Sequence, residues 1–270
     1  MPHRKLIARL QAVVALSQQD QAKLQGIPYK LKALHNGEHV VRRGDRPTSS
    51  TIVMSGFLAS QRVITERNQI SSFYITGDMP DLHALHLPVM DHELCSLGNS
   101  TIASVPHAYL KALMEDSPGI TQAFWRETLI HAALYRQWVE NLGSRQAIAR
   151  IAHLLCEMAS RLELIGEFDR DCSFRLPFTQ QNIADACGLS AVHVNRMVQE
   201  LKRLGLVDWR DHTVRFLTRT ALEDLAEFDR GYLHALEIDR SPICNARLGT
   251  RAAPARSPEA RPETGRDQME

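Results

Sequence analysis

The sequence has no long hydrophobic run, few cysteines and almost no net charge, and each shortage excludes a class of protein. No segment approaches the roughly 18 consecutive apolar residues that a membrane-spanning helix needs, and Arg9 interrupts the apolar start that a signal peptide requires. The five cysteines are odd in number and scattered, which fits buried thiols in a reducing compartment better than a disulfide framework. We therefore expect a cytoplasmic protein that does not contact a membrane.

The formal net charge of the 270 residues is only +1, so the chain as a whole is not a polycation. Any binding to nucleic acid must then come from a local arrangement of side chains. The sequence also lacks a glycine-rich phosphate loop, a nucleophile elbow and a metalloprotease helix. A few acids cluster at Asp78, Asp81, Asp91 and Glu93. Turns between strands commonly carry such residues, and we expect no enzyme.

The stretch from Leu34 to about Val105 has the composition of β-strands. Short runs of β-branched and aromatic residues are separated at regular intervals by the turn glycines Gly37, Gly44, Gly56 and Gly77. Short strands at such even spacing predict a small barrel or roll. A helical segment from Leu6 to Leu24 precedes it.

A long helix is expected to begin at Ser117-Pro118, because proline is tolerated in the first turn. Apolar residues cover most faces of this helix, so it needs more than one burying surface. One surface is the roll. The other is either the same helix of a second copy, across a dimer axis, or the core of the monomer itself.

Gly143-Ser144 interrupts that pattern, and a second amphipathic helix follows, with Gly166 at its end. From Ser241 onward, prolines lie among alternating arginines and glutamates with few large apolar residues. A segment of this composition is expected to be disordered.

The most informative segment runs from Phe178 to Gly205. Thr179 can cap a short helix that begins at Gln180, because its hydroxyl can accept from an unpaired amide. Gly188 supplies the sharp turn after that helix. Ser190 then caps a second helix, which ends at Gly205.

The second helix has an apolar and a polar side. At about 100° per residue, one side carries Val194, Met197, Val198, Leu201 and Leu204, and the other carries Val192, Asn195, Arg196, Gln199 and Arg203. Two short helices joined by a glycine turn, the second with a polar outer face, predict a helix-turn-helix whose second helix fits the major groove of DNA. The segments 206–209 and 213–217 then predict a β-hairpin, the wing.

This segment resembles the DNA-binding domain of the Crp–Fnr family (cyclic-AMP receptor and fumarate–nitrate regulator). The likeness lies in Thr179-Gln180, the Ile-Ala-Asp-x-x-Gly-Leu-Ser run from Ile183 to Ser190, Val192-His-Val-Asn-Arg196, and the exit into the wing from Leu201 to Val207. It extends diffusely over residues 10–225, where the turn glycines resemble those of the family's effector β-roll and residues 117–142 resemble its dimerisation helix.

The resemblance implies an α+β fold with an N-terminal effector-type β-roll (a cupin-like jelly roll) over residues 1–116. A dimerisation helix would follow over 117–143 and a winged helix-turn-helix over 144–228. Residues 229–270 would form a C-terminal extension, disordered from about residue 241. The implied dimer contacts on the long helix are Phe124, Leu129, Ala132, Tyr135 and Val139.

The function that the resemblance implies is that of a DNA-binding transcription regulator, acting as a homodimer on a palindromic operator. Its partners would be double-stranded DNA, a second copy of the chain and RNA polymerase. The alternative is a ligand-binding or protein-interaction module whose helix-turn-helix no longer engages DNA.

Family members read bases from the first turns of the second helix, which here carry Ala191, Val192, Asn195 and Arg196. The guanidinium of Arg196 matches an arginine commonly used by the family and can grip guanine O6 and N7; the alternative is that it holds only a phosphate or an acidic neighbour. The best-known members have glutamate in place of Val192. Valine cannot accept from a cytosine amine but can pack against a thymine methyl, so the target sequence should differ there.

The remaining predicted DNA contacts position the protein rather than specify the sequence. Phosphate contacts are expected from Thr179, Gln180, Ser190 and Lys202. His193 can touch either DNA or protein, and Gln199 completes the predicted set.

The effector site departs from the family pattern. Cyclic-nucleotide-binding members carry a glutamate and an Arg-Ser pair after the position of Gly77-Asp78, and the matching residues 79–95 contain no arginine. A cyclic phosphate without a cationic partner is poorly stabilised, so the effector is expected to be an unknown molecule other than cyclic AMP. Iron–sulfur members use an N-terminal cysteine cluster, whereas the first cysteine here is Cys95. We expect no cofactor.

One further pattern involves metal-binding residue types. His83-x-x-His86 and His92-x-x-Cys95 have spacings at which imidazole and thiolate can bind zinc or another soft divalent metal. Structural metal sites usually use tighter, cysteine-richer motifs. These residues are therefore expected to be ordinary loop and strand residues, with no metal.

Overall fold

The computed structural model describes residues 2–236. Its α-helices are α1 (Pro2–Gln11), α2 (Gln18–Gln25), α3 (His107–Asp116), α4 (Pro118–Ser144), α5 (Ala147–Leu164), α6 (Gln180–Cys187), α7 (Ala191–Arg203) and α8 (Arg219–Ala226). Its strands are β1 (Lys30–Leu34), β2 (His39–Val41), β3 (Ser49–Ile64), β4 (Arg67–Tyr74), β5 (Glu93–Pro106), β6 (Ser173–Arg175), β7 (Val207–Arg210) and β8 (Thr213–Phe216). Within residues 2–236, no helix combines the length and apolar character needed to cross a bilayer. The expected disorder from about residue 241 lies outside the described residues.

The first sheet has five antiparallel strands in the order β1-β5-β3-β4, with β2 paired to β5. Its two long strands, β3 and β5, change register between Val53 and Phe57, and such bulges bend a strand so that the sheet can close on itself. Gly56 lies at this bend with φ +80°, where a Cβ would come within 2.6 Å of the carbonyl oxygen of Asn99. The roll that the strand spacing predicts and the α+β fold that the resemblance implies are both confirmed.

The N-terminal helical segment packs onto this roll. It forms two helices rather than one, because Ser17 caps α2 by accepting from the amide of Asp20 at 3.0 Å. Gly77, with φ +93°, lies directly under α1, and a Cβ there would be 2.7 Å from the carbonyl oxygen of Lys5. The turn after β4 therefore needs glycine both for its backbone conformation and for the close approach of α1.

The long helix α4 begins as predicted, with Ser117 as its N-cap and Pro118 in its first turn. One face packs on the roll and on α5. Phe124 belongs to this inner face, where it is only 2% exposed and packs with the α1–roll core. The structure thus places Phe124 in the core of the monomer and not on the outward face predicted for a dimer contact. The opposite face leaves Trp125, Leu129 and Val139 exposed at 68%, 54% and 71%.

The roll and the C-terminal helices share one continuous hydrophobic core. Phe73 of β4 stacks on Phe178 with ring centroids 4.3 Å apart, and both belong to the cluster that includes the inner faces of α5, α6 and α7. Polar contacts bridge the same boundary, since Gln69 Nε2 donates to the carbonyl oxygen of Asp185 at 2.8 Å. The division into domains stays a prediction.

Residues 229–236 pack against the N-terminal part of the chain, a contact that the sequence did not predict. A short 3₁₀ helix at Arg230–Leu233 places Leu233, 4% exposed, beside Val13 and Leu134. The amide of Leu236 donates to the carbonyl oxygen of Ala12 at 2.8 Å. The predicted C-terminal extension therefore begins with a packed segment.

A buried ionic network joins α1, the roll, α4 and α5. Arg9 pairs with Asp78 and with Glu127, each at 3.0 Å, and Arg161 pairs with Asp78 at 2.7 Å and with Glu157 at 3.2 Å. Burial alone would raise the pKa of Asp78, but the guanidinium groups of Arg161 and Arg9 outweigh it and hold that pKa below its ordinary value. Asp78 is therefore ionised at neutral pH and is balanced by two arginines.

Candidate nucleic-acid interface

The first helix of the C-terminal motif, α6, is fixed at its start by a reciprocal cap. The Thr179 hydroxyl accepts from the amide of Asn182 at 3.1 Å, and the Asn182 side chain accepts from the amide of Thr179 at 2.9 Å. This capping box satisfies two amides that a helix start leaves unpaired. The inner face of α6, which includes Ile183 and Cys187, is buried. Thr179 and Gln180 are exposed at the start of the helix, where the predicted phosphate contacts require them.

A glycine turn joins α6 to α7. Gly188 has φ +65°, and its amide donates to the carbonyl oxygen of Ala184, which closes α6 in the left-handed conformation. Ser190 then caps α7 by accepting from the amide of His193 at 3.2 Å. The predicted helix–turn–helix is confirmed together with both of its caps.

Helix α7 separates an apolar inner face from a polar outer one. Val194, Val198 and Leu201 are buried. The outer face is exposed and carries Val192, Asn195, Arg196 and Gln199, with Val192 as much as 82% exposed. At about 1.5 Å per residue, these side chains span roughly two turns, a length that fits within a major groove.

Two residues at the C-terminal end of α7, Lys202 and the C-cap Leu204, have surroundings that the helical pattern does not indicate. Leu204, predicted on the apolar side, is 46% exposed, because it lies past the last turn that contacts the core. Lys202, predicted to contact phosphate, donates from Nζ to the carbonyl oxygen of Trp209 at 2.6 Å. Its ammonium thus holds the wing against α7 and does not point freely into solvent.

The wing is a three-stranded sheet in the order β6-β8-β7. The turn between β7 and β8 consists of Asp211 and His212, which have φ +47° and +60°. Positive φ at both central residues is what a two-residue type I′ hairpin requires. The predicted hairpin is confirmed, and β6 adds a strand that the sequence did not indicate.

The wing sheet also adds exposed arginines that the sequence reasoning missed: Arg175, Arg210 and Arg215. Arg210 and Arg215 are held by ion pairs to Asp208 and Asp171. The alternation of polar and apolar residues in Thr213–Phe216 was the available signal, since every second side chain of a wing strand must face outward.

The start of α7 borders an open cleft of about 880 Å³ opposite the β3–β4 hairpin. Ser190, Ala191 and His193 line one side of it, and Ile64 and Arg67 of the hairpin line the other. These predicted DNA contacts therefore lie beside the roll. The outward-facing residues Val192, Asn195 and Arg196 do not line this cleft.

The structure brings the residues of the histidine–cysteine pattern together only in part. His83 and His92 approach each other, with ring centroids 5.4 Å apart. His86 is exposed, and Cys95 is buried in the roll, where burial raises the pKa of its thiol to about 11. His83 and His92 line a cavity against α4 that also receives His131. Burial lowers the pKa of His83 and lowers that of His131 to about 4, so both imidazoles are neutral at neutral pH.

The C-terminal motif matches the model of a known domain family. Residues 149–225 match the family model of the Crp-like helix-turn-helix domain. These residues contain the whole of α6, α7 and the β7–β8 hairpin.

Curated relatives extend the likeness over most of the chain. The Transcriptional activator protein FnrA of Stutzerimonas stutzeri is 25% identical over 214 residues, which cover 79% of this chain and 87% of that protein. The Fumarate and nitrate reduction regulatory protein of Escherichia coli K12 is 23% identical over 229 residues, covering 83% of this chain and 89% of that protein.

Solved structures share the fold. FixK2 from Bradyrhizobium japonicum superposes with a TM-score of 0.66 at 19% identity, covering 74% of this chain and 98% of that one. The c-di-GMP responsive regulator CLP of Xanthomonas campestris superposes with a TM-score of 0.58 at 17% identity, covering 74% of this chain and 99% of that one.

Proposed function

The chain belongs to the Crp–Fnr family of transcription regulators, which are not enzymes, and from this premise we propose that it acts as a homodimer on a palindromic DNA operator. The observation that carries the proposal is the exposed outer face of α7. Val192, Asn195 and Arg196 point into solvent while the opposite face is anchored in the core. A recognition helix needs this combination of a fixed inner face and a free outer one.

DNA contacts divide into those that read bases and those that position the protein. We assign base reading to Ala191, Val192, Asn195 and Arg196, and backbone contacts to Thr179, Gln180, Ser190 and Gln199, with His193 contacting either DNA or the roll. Lys202 contributes by holding the wing, through its bond to Trp209. The exposed wing arginines extend the positively charged surface beyond α7.

The exposed face of α4 supports the homodimer. Its outward residues recur at alternating steps of four and three, and we call them the α4 seam: Trp125, Leu129, Ala132, Arg136 and Val139. This spacing is the heptad pattern by which two helices pack along a common stripe. Large apolar side chains aligned on one exposed stripe mark an interaction surface. Tyr135 lies at the edge of the seam, where its hydroxyl contacts that of Tyr74 at 3.1 Å.

The two copies would place their α7 helices about one helical turn of DNA apart, which corresponds to half-sites centred roughly 10 base pairs apart. We further propose a cytoplasmic location, RNA polymerase as a partner, and an effector other than cyclic AMP. Residues 79–95 supply no arginine for a cyclic phosphate. The cavity against α4 does have Arg62 in its lining, but this side chain is exposed on β3.

The test is a binding titration on duplexes selected from genomic fragments, followed by fluorescence anisotropy. We expect one dimer per palindromic site, bound at least about 10³-fold more tightly than random duplex. The affinity should fall linearly with salt on logarithmic axes, because each phosphate that is neutralised releases counterions.

The alternative, a module whose helix-turn-helix no longer engages DNA, predicts a different titration. It would show no salt-dependent affinity for any duplex, selected or random. The free outer face of α7 favours the regulator, because within residues 2–236 Asn195, Arg196 and Gln199 remain exposed and accessible to DNA.

A further inference from the structure

A cavity of about 500 Å³ lies between the roll and α4. The roll contributes Tyr74, His83 and His92 to its lining, and α4 contributes His131 and Tyr135. An apolar cavity would need no polar lining, but this one has imidazoles from two sides. The rest of its lining is mostly apolar, so these few polar groups are the ones that orient an occupant.

Three side chains at the mouth of this cavity bring metal-binding atoms together. One donor atom each of His83, Asp91 and His92 lies within 4.8 Å of the other two. His83 lies on the short 3₁₀ helix Leu82–Leu85, and Asp91 and His92 immediately precede β5. The fold, and not a local sequence motif, creates the cluster.

The two imidazoles carry unused nitrogen atoms. Nε2 of His83 and Nε2 of His92 are both inaccessible to solvent and have no hydrogen-bond partner among the described residues. Buried polar atoms in proteins are nearly always paired, and exceptions indicate a bound water, an ion or a functional role. Two unpaired imidazole nitrogens side by side form an arrangement that a metal ion completes.

Asp91 orients His92 for this role. Oδ1 of Asp91 lies 2.6 Å from Nδ1 of His92. With Nδ1–H donating to the carboxylate, Nε2 keeps its lone pair and presents it to the cavity. The Asp91 side chain is itself 87% exposed, so the outer edge of the cluster lies at the protein surface. Carboxylate–histidine–metal arrangements of this kind fix both the tautomer and the direction of the ligand.

We propose that His83 and His92 bind a divalent transition metal of the zinc type at the mouth of this cavity, with Asp91 holding His92 from the outer shell. Imidazole nitrogens are ligands that such ions accept, with metal–nitrogen bonds of about 2.0–2.1 Å. Small side-chain rotations bring atoms within 4.8 Å of one another to that geometry. Two protein ligands leave coordination positions for water or for another molecule in the cavity. This inference revises the expectation, made from the sequence, of no metal.

The spacing motifs in the sequence pointed to the wrong ligand set. His86 faces a different cavity, and Cys95 is buried in the core of the roll. A second cluster, Asp78, Glu127 and His131, also has atoms close enough for a metal. Its two carboxylates already form ion pairs with Arg9 and Arg161 in the buried network.

The test uses the full chain without a histidine tag, stripped of metal by a chelator and titrated with Co²⁺ and then Zn²⁺. We expect one metal per chain, visible d–d absorption from Co²⁺ without thiolate charge-transfer bands, and displacement of Co²⁺ by Zn²⁺. His83→Ala and His92→Ala should each weaken binding by more than the roughly 10- to 100-fold that loss of an outer-shell partner produces. Asp91→Asn should weaken it by at least the lower figure of about 10-fold.

His86→Ala is the matched control, because it removes an imidazole three residues from His83 without touching the cluster. It should bind metal as the unaltered protein does. The proposal is overturned if the unaltered protein fails to bind either metal stoichiometrically, if thiolate bands accompany binding, or if the His83/His92 double variant binds as tightly as the control. The first of these outcomes is measured on the unaltered protein alone, so the proposal can be refuted even if a variant fails to fold.

Metal binding is independent of the proposed function, although an effect of metal on DNA affinity would rest on it. Operator affinity is therefore measured on the same samples, with and without Zn²⁺. Metal binding without any DNA binding would refute the proposal of a DNA-binding regulator and support the metal site. DNA binding without metal binding would support the regulator and refute the metal site.

Discussion

At the scale of the residue, Arg196 is the side chain on which sequence reading by this protein most depends. It is exposed on the outer face of α7, and within residues 2–236 no hydrogen bond or ion pair holds its guanidinium. Arg203, further along the same helix, is instead held by Glu200 through two contacts of 2.8 and 2.6 Å. The two arginines carry equal charge but differ in their freedom to reach a base.

Arg196→Ala should reduce the affinity for the selected operator more than the affinity for random duplex. A bidentate contact with guanine discriminates by about 1–3 kcal/mol, whereas random DNA loses only the attraction of one positive charge. Anisotropy titrations on both duplexes measure the difference. Arg203→Ala removes the same charge and should lower both affinities by a similar, small factor. An equal loss on operator and random DNA for Arg196→Ala would show that this residue contacts only phosphate.

The helical repeat correctly places Val192 and Arg196 on the outer face of α7, but it does not indicate the surroundings of Leu204 and Lys202. The phosphate contact of Lys202 stays a prediction. The helical repeat gives the side on which a residue lies. It does not show where the end of a helix extends beyond the hydrophobic core, as it does at Leu204, which is 46% exposed. Nor does it tell that the Lys202 ammonium meets a carbonyl of the wing, a contact made by tertiary structure alone.

At the scale of the element, α4 has two faces that the sequence could not tell apart. Phe124 and Leu129 are both apolar and were both predicted as dimer contacts, yet Phe124 is 2% exposed and Leu129 is 54% exposed. A helix that is apolar on most faces needs several partners, but its composition does not say which face meets which partner. The ends of helices were predictable, because the caps at Ser117, Thr179 and Ser190 act through local hydrogen bonds.

Leu129→Asp should convert the homodimer into a monomer. The substitution places a charge at the centre of the α4 seam, and the two-fold axis would bring two such charges together in an apolar interface. Sedimentation equilibrium measures the change in mass, and operator affinity should fall with it because each half-site is then bound separately.

Leu31→Asp is the control, since Leu31 on β1 is exposed to a similar extent, 59%, and lies outside α4. That variant should remain dimeric. If Leu129→Asp keeps the mass of the unaltered protein, the α4 seam is not the interface.

At the scale of the whole molecule, a buried ionic network lies beside the hydrophobic core that the roll shares with the C-terminal helices. Arg9 lies 69 residues before Asp78 in the sequence and Arg161 lies 83 residues after it. No local pattern predicts a pair 69 residues apart, so this ion pair could not be predicted from the sequence. The pKa of Asp78 is held below its unfolded value of about 3.9. Its stabilising contribution is therefore present above that value and is lost as the pH falls through the folded pKa.

Arg161→Met should lower the free energy of unfolding by about 3–5 kcal/mol, because it leaves Asp78 and Glu157 buried with one positive partner fewer. Urea denaturation at neutral pH measures the change. Arg215→Met removes an exposed arginine that also forms an ion pair, with Asp171, and should cost no more than about 1 kcal/mol. Adding Asp78→Asn to Arg161→Met should cost less than the two single changes together, since the second substitution removes the charge that the first left unpaired. Strict additivity, or an Arg161→Met effect as small as that of Arg215→Met, would mean that the network does not hold the two halves of the molecule together.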